Sequence, residues 1–96
     1  MKVLCKNKGG TKDRECSCGS WKKHWENFSG QTWPEKCVVD GCNNRATVGA
    51  HIIKAGGNND EFIVPMCDKC NSREGTFYIE KTNLCVPANK SKTCDK

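Results

Sequence analysis

Apolar positions along this chain fall in short runs, each closed by a turn-forming residue. The longest helical pattern lies at 20–30, where Trp21, Trp25 and Phe28 recur at i, i+4 and i+7 with Lys22, Lys23 and Glu26 between them. That spacing places the three rings on one stripe of a helix. Ser20 supplies a side-chain acceptor for the first turn, and Gly30 stands where a helix ends in a left-handed residue. The pattern predicts an amphipathic N-terminal helix that packs its aromatic stripe on a core, with His24 on the same side as Trp21. The remaining runs are short and rich in Val, Ile and Thr: strands are expected at 2–6, 46–53, 62–64 (stopped by Pro65), 76–81 and 84–86. Residues 31–36 and the Gly-Asn-rich 54–61 read as loops, 68–74 as a short helix closed by Gly75, and the polar tail from Pro87 onward as loose.

Cysteine positions give these small elements a centre. Cys37 and Cys42 bracket four residues that include Asp40-Gly41, a dipeptide suited to a tight turn, and Cys67 and Cys70 bracket two. Thiolates at such spacings converge on one ion, and two such pairs complete a tetrahedral Cys₄ set, expected here to be a structural Zn²⁺ site. The order is knuckle, strand, loop, strand, then Cys-x-x-Cys at a helix start, the layout of a treble-clef zinc finger. The fold class expected is therefore a small α+β zinc domain: a ββα core with the Trp-rich helix packed on it.

Composition agrees. The chain has 96 residues, 35% hydrophobic and 7% aromatic, with a mean hydropathy of −0.75. That supports one domain with a core too small to stand without staples. It divides as 1–36 (the segment bearing the helix), 37–75 (the zinc core) and 76–96 (C-terminal strands and tail). Nine cysteines are an odd number, so internal disulfides cannot pair them all. Met1-Lys2-Val3-Leu4-Cys5 lacks the apolar run of a signal peptide, and no stretch reaches membrane-spanning length. The expectation is a reducing, cytoplasmic setting and no membrane partner, in which the Asn27 and Asn89 sequons carry no weight. A net charge of +5 is compatible with DNA or RNA, or with an acidic protein partner.

The knuckle, the strand ending at His51, the Gly-rich loop and Cys67-Asp68-Lys69-Cys70-Asn71 resemble the ββα-metal core of HNH-type nucleases over residues 37–75. The resemblance implies a divalent-cation-dependent endonuclease, with His51 as general base and Asn71 beside a catalytic Mg²⁺ or similar ion. Cys16-Ser17-Cys18-Gly19-Ser20-Trp21, His24-Trp25, Gly49-Ala50-His51 and Ile63-Val64-Pro65-Met66 are also similar to small uncharacterised bacterial and phage zinc proteins. That similarity covers most of the chain but brings no established function; an accessory or inhibitor protein of a phage or mobile element is an alternative reading of the chain. The chain departs from the nuclease pattern at Ala50, where the family places a metal-binding acid or His, and near Phe62, where it places the Asn that orients the base. Asp60 and Glu61 are the acids nearest in sequence, and Arg73 is the one arginine near the site.

Five cysteines remain. Cys16, Cys18 and His24, with His51 or Cys94 as a fourth ligand, have spacings that suit a second Cys₂His₂-type zinc. Cys5 and Cys85 lie in strand-like runs and read as buried free thiols. His51 thus has three readings: general base, zinc ligand, or core histidine. Two functions follow. One is a zinc-binding HNH-like module that binds nucleic acid or a protein without catalysis; the other is an HNH-type nuclease. The incomplete catalytic shell favours the module.

Overall fold

In the computed structural model, residues 2–8, 20–56, 60–81 and 84–88 are described. A five-stranded antiparallel sheet runs in the order β4-β1-β2-β3-β5. Its strands are β1 (Val3–Asn7), β2 (Val48–Lys54), β3 (Glu61–Met66), β4 (Thr76–Ile79) and β5 (Val86–Pro87), and two helices accompany it, α1 (Trp21–Ser29) and α2 (Asp68–Asn71). β2 and β3 form a hairpin in register from Val48↔Met66 to Ile53↔Glu61. β1 inserts between β2 and β4 through Cys5↔Lys54 on one side and Cys5↔Phe77 on the other. The chain therefore begins with a strand in the sheet interior, and the helix follows it.

Paired residues share a face of a sheet, and sequence neighbours alternate between faces. The registers put Cys5, Ala50, Ile52, Val64, Met66, Phe77 and Ile79 on one face, where they pack with Val38, Val39, Cys37, Cys67 and Cys70. The opposite face carries Gly49, His51, Ile63 and Val86. There α1 lays Trp25 against Ile63 and Val86, with Trp21, Trp33 and Leu84 beside them. α1 forms where its caps place it: the Ser20 Oγ accepts from the Lys23 N–H at 3.1 Å, and Gly30 takes φ +68° at the C-cap. Trp25 is fully buried, and its indole N–H donates to the Leu84 carbonyl at 2.8 Å. Phe28, expected on the buried stripe, is instead exposed and rests against the His24 ring, centroids 5.0 Å apart.

Several boundaries differ from the expected ones. β3 passes through Pro65 to Met66 instead of stopping before it. Proline is tolerated because the Pro65 carbonyl accepts from the Val38 N–H at 3.1 Å. The N and C=O of one strand residue point the same way, so the missing N–H is on the knuckle side and costs β2 no ladder bond. α2 is four residues long, not seven, and ends at Ser72. Pro87, expected to open the tail, pairs with Phe62 in β5; residues 89–96 lie outside the described set.

The helix can approach the sheet closely because of Gly49. A Cβ there would lie 2.6 Å from the Trp21 carbonyl carbon and 2.8 Å from the Lys22 nitrogen. Since the obstruction is backbone, Gly49→Ala must lift α1 from β2. A loss of roughly 1–3 kcal/mol is expected from such overpacking, read as a lower denaturation midpoint with red-shifted tryptophan emission. An unchanged midpoint would mean that α1 is not seated on Gly49.

Candidate metal centre

The knuckle is built by backbone bonds. The Cys37 N–H donates to the Asn44 carbonyl at 2.8 Å and the Cys42 N–H to the Val39 carbonyl at 3.0 Å, closing the loop around Asp40-Gly41. The loop is tied to the sheet at three points: the Val38 N–H on Pro65, the Asp40 N–H on Tyr78, and the Glu80 N–H on the Val38 carbonyl. The second pair follows directly from β3. Cys67 is the N-cap of α2, and its Sγ accepts from the Cys70 N–H at 3.4 Å. Knuckle and helix start thus meet on the face that carries Ala50, Ile52 and Met66.

There the Sγ atoms of Cys37, Cys42, Cys67 and Cys70 all lie within 4.8 Å of one another. The Cys42–Cys67 and Cys42–Cys70 sulfur separations are 3.8 and 3.7 Å. All four thiols are free, and these separations are far beyond the ~2.05 Å of a disulfide. They match the edge of a tetrahedron of sulfurs about 2.3 Å from a central zinc, which is roughly 3.8 Å. The set can hold a metal ion such as zinc. With four protein ligands, no coordination position would remain for water or substrate, the arrangement of a structural site.

The electrostatics separate the four. Burial pushes the Cys37 thiol up, partly offset by hydrogen bonds from the Val39 and Cys67 backbone. Burial, then the Cys67 and Cys42 side chains, push Cys70 well above the usual thiol range. At Cys67 burial also acts upward, but the Cys70 N–H, the Cys70 thiol, the Asn44 amide and the Cys42 thiol together outweigh it and bring the group down to about 7. Of these three thiols, Cys67 alone is pushed down. The Asn44 Nδ2 lies 3.7 Å from that sulfur, a role for the Asn43-Asn44 pair beyond the turn expected from its sequence. Asn7 is the other functional side chain that sequence alone did not point to. Its Nδ2 donates to the Cys70 carbonyl at 2.8 Å and the Arg73 carbonyl at 2.9 Å, fastening the end of α2 to β1. No local pattern signals a partner 63 residues away.

The residues expected for catalysis do not meet. His51 is on β2, paired with Ile63, and is 5% exposed beneath α1, its ring edge-on to Trp21 at 4.3 Å. Asn71 is exposed at the end of α2, which packs on the other face through Cys70. Phe62, opposite Ile52, lies under the Lys54 ammonium at 4.5 Å. Among the described residues, the four cysteines are the one group of His, Cys, Asp or Glu close enough to share an ion. Asp60 and Glu61 form no such group with His51.

Of the residues expected for a second zinc, Cys16, Cys18 and Cys94 lie outside the described residues. His24 is fully buried, and its Nε2–H donates to the Pro87 carbonyl at 2.8 Å. His24 and His51 both stand edge-on to Trp21. Cys5 and Cys85 are free thiols. Burial, with Cys85 close by, pushes Cys5 up to about 12; burial also raises Cys85, against the pull of Lys54.

No known protein family, curated protein or solved structure matches the chain. The likeness to HNH-type nucleases thus rests on the quoted motifs alone. Among the described residues, no helix is long and apolar enough to cross a membrane.

Because metal binding in such sites is folding free energy, on the order of 10 kcal/mol, Cys67→Ser or a strong chelator should abolish the cooperative unfolding transition. Asn44→Leu should keep the fold but weaken zinc retention about 10-fold or more in a chelator competition, the usual effect of losing a donor to a ligand.

Proposed function

We propose that this chain is a zinc-stabilised, non-catalytic binding module with a treble-clef, HNH-like core spanning 37–75 within a single domain. The observation that carries the reading is the convergence of the Cys37, Cys42, Cys67 and Cys70 sulfurs within 4.8 Å of one another, with the two separations of 3.7 and 3.8 Å matching a zinc tetrahedron's edge. Catalysis is disfavoured by the placement of His51, buried under α1 on the face away from α2. A general base must reach the attacking water, and a phosphoryl-transfer site must hold a cation beside it. Ala50 and Phe62 supply neither the ligand nor the orienting amide that the nuclease pattern needs.

The partner we propose is nucleic acid, engaged through the part of the sheet left open beside α1. Leu4 and Tyr78 are directly paired on the α1 face and are 37% and 49% exposed. Lys6, two residues from Leu4 on the same side of β1, is exposed as well. An aromatic ring on a strand next to a lysine offers a base a stacking surface and a phosphate a counter-charge, and the net charge of +5 favours approach. A second centre formed by Cys16, Cys18, His24 and His51 remains an independent reading, favoured by the gathering of both histidines around Trp21.

Three measurements test this. Metal analysis should return one zinc per chain from the Cys₄ set and two if the second centre forms; no zinc would overturn the reading. Plasmid incubated with Mg²⁺, Mn²⁺ or Ni²⁺ should stay intact, and cleavage that disappears in His51→Ala would show a nuclease. Binding of a labelled oligonucleotide should weaken steeply as salt rises from about 50 to about 200 mM and lose roughly 1–3 kcal/mol in Tyr78→Ala. No binding at low salt would point to a protein partner instead.

A further inference from the structure

The four cysteines are not equivalent toward solvent. Cys37, Cys67 and Cys70 are buried, whereas Cys42 is only half-buried. It stands between two clefts. One, about 500 Å³, is lined by Val39, Asp40, Asn44, Lys69 and Arg73 together with Cys42 and Cys70. The other, about 400 Å³, reaches Cys42 from the side of Lys36 and Lys81. The sulfurs also differ in what they accept. Cys67 takes the Cys70 N–H and the Asn44 amide. Among the described residues, the Cys42 and Cys70 sulfurs are each hydrogen-bonded to other sulfurs and not to an N–H, and of the two Cys42 is the more exposed. A thiolate that accepts no N–H keeps more of its electron density for an incoming electrophile, and access decides which thiolate reacts.

We propose that Cys42 is a site of S-alkylation, taking small alkyl donors whose leaving group is an oxyanion such as a sulfonate or phosphate. The inference rests on the reading of the cluster as a zinc centre. Four thiolates around a dication carry two net negative charges, which would oppose the departure of an anion beside them. Lys69 and Arg73 line the same cleft wall and offset that charge; the carboxylate of Asp40 is matched by the Lys2 ammonium at 2.9 Å. In the step, the Cys42 sulfur forms a bond to the alkyl carbon. The carbon–oxygen bond breaks with its electron pair staying on the leaving oxyanion, which the two cations stabilise. No oxidant, reductant or proton is required. The thioether product is neutral, and the centre is left with three thiolates.

The probe is methyl methanesulfonate at limiting concentration, with zinc content measured first and each cysteine followed by peptide mass mapping. Within the centre, Cys42 is expected to gain its methyl group on the order of tenfold faster than Cys37, Cys67 or Cys70, as exposure dictates. Reversing both charges (Lys69→Glu with Arg73→Glu) should slow Cys42 on the order of tenfold without loss of zinc. If the doubly reversed chain does not hold zinc, Lys69→Gln with Arg73→Gln should give a smaller slowing in the same direction. A centre that binds zinc yet reacts first at another of the four, or a rate indifferent to both pairs of substitutions, overturns the proposal. A chain without zinc overturns the metal reading beneath it.

Discussion

The constraint that organises this small fold is the convergence of four cysteine sulfurs to within 4.8 Å of one another, a set that can hold one metal ion. The two pairs come from segments separated by 24 residues, and the β2–β3 hairpin is the device that returns one to the other. Its register delivers Cys67 one residue beyond Met66, which pairs with Val48 near the knuckle. A slip of one residue would send Met66 and Val64 to the α1 face and break the convergence. Metal and sheet therefore specify each other. A core of this size supplies little net stability, whereas zinc binding at such a site contributes about 10–16 kcal/mol, comparable with the whole stability of an ordinary domain. The Cys₄ set is best seen as the closing element of the core that contains Cys5, Ile52, Met66, Phe77 and Ile79.

The second core, under α1, is organised by contact between surfaces. Gly49 lets the helix backbone touch β2, and Trp25 fills the space above Ile63 and Val86. His51 is caught in this seam. Its burial follows from strand parity: Ala50 and Ile52 belong to the zinc-side core, so the residue between them must face the helix. The same parity separates it from Asn71. In this chain the strand histidine is covered by a tryptophan.

Local features of the sequence were legible because their causes are local. The Cys-x₄-Cys and Cys-x-x-Cys spacings led to the four residues that converge, and Ser20 with Gly30 led to the ends of α1. What stayed hidden depends on partners far along the chain. That β1 lies inside the sheet follows from Cys5 meeting Phe77, 72 residues away. Pro65 looked like a strand stop because only its fold context shows that its N–H side faces the knuckle. Asn7, just beyond the strand expected at 2–6, lies in β1 and holds α2. His51 carried three readings from sequence, since the face it occupies is a property of the register.

The asymmetry inside the metal centre follows from the same architecture. Cys67 and Cys70 are covered because a helix start must pack on the sheet, and Cys37 because the knuckle strand pairs behind it. Asp40 and Gly41 at the tip of the turn are exposed, and the last knuckle residue, Cys42, is only half-buried beside them. Asn7 fastens the end of α2 and the residue two beyond it, through the Cys70 and Arg73 carbonyls. The helix start thus sits firmly on β1, while the knuckle cysteine Cys42 stays half-buried at the edge of the four-cysteine cluster.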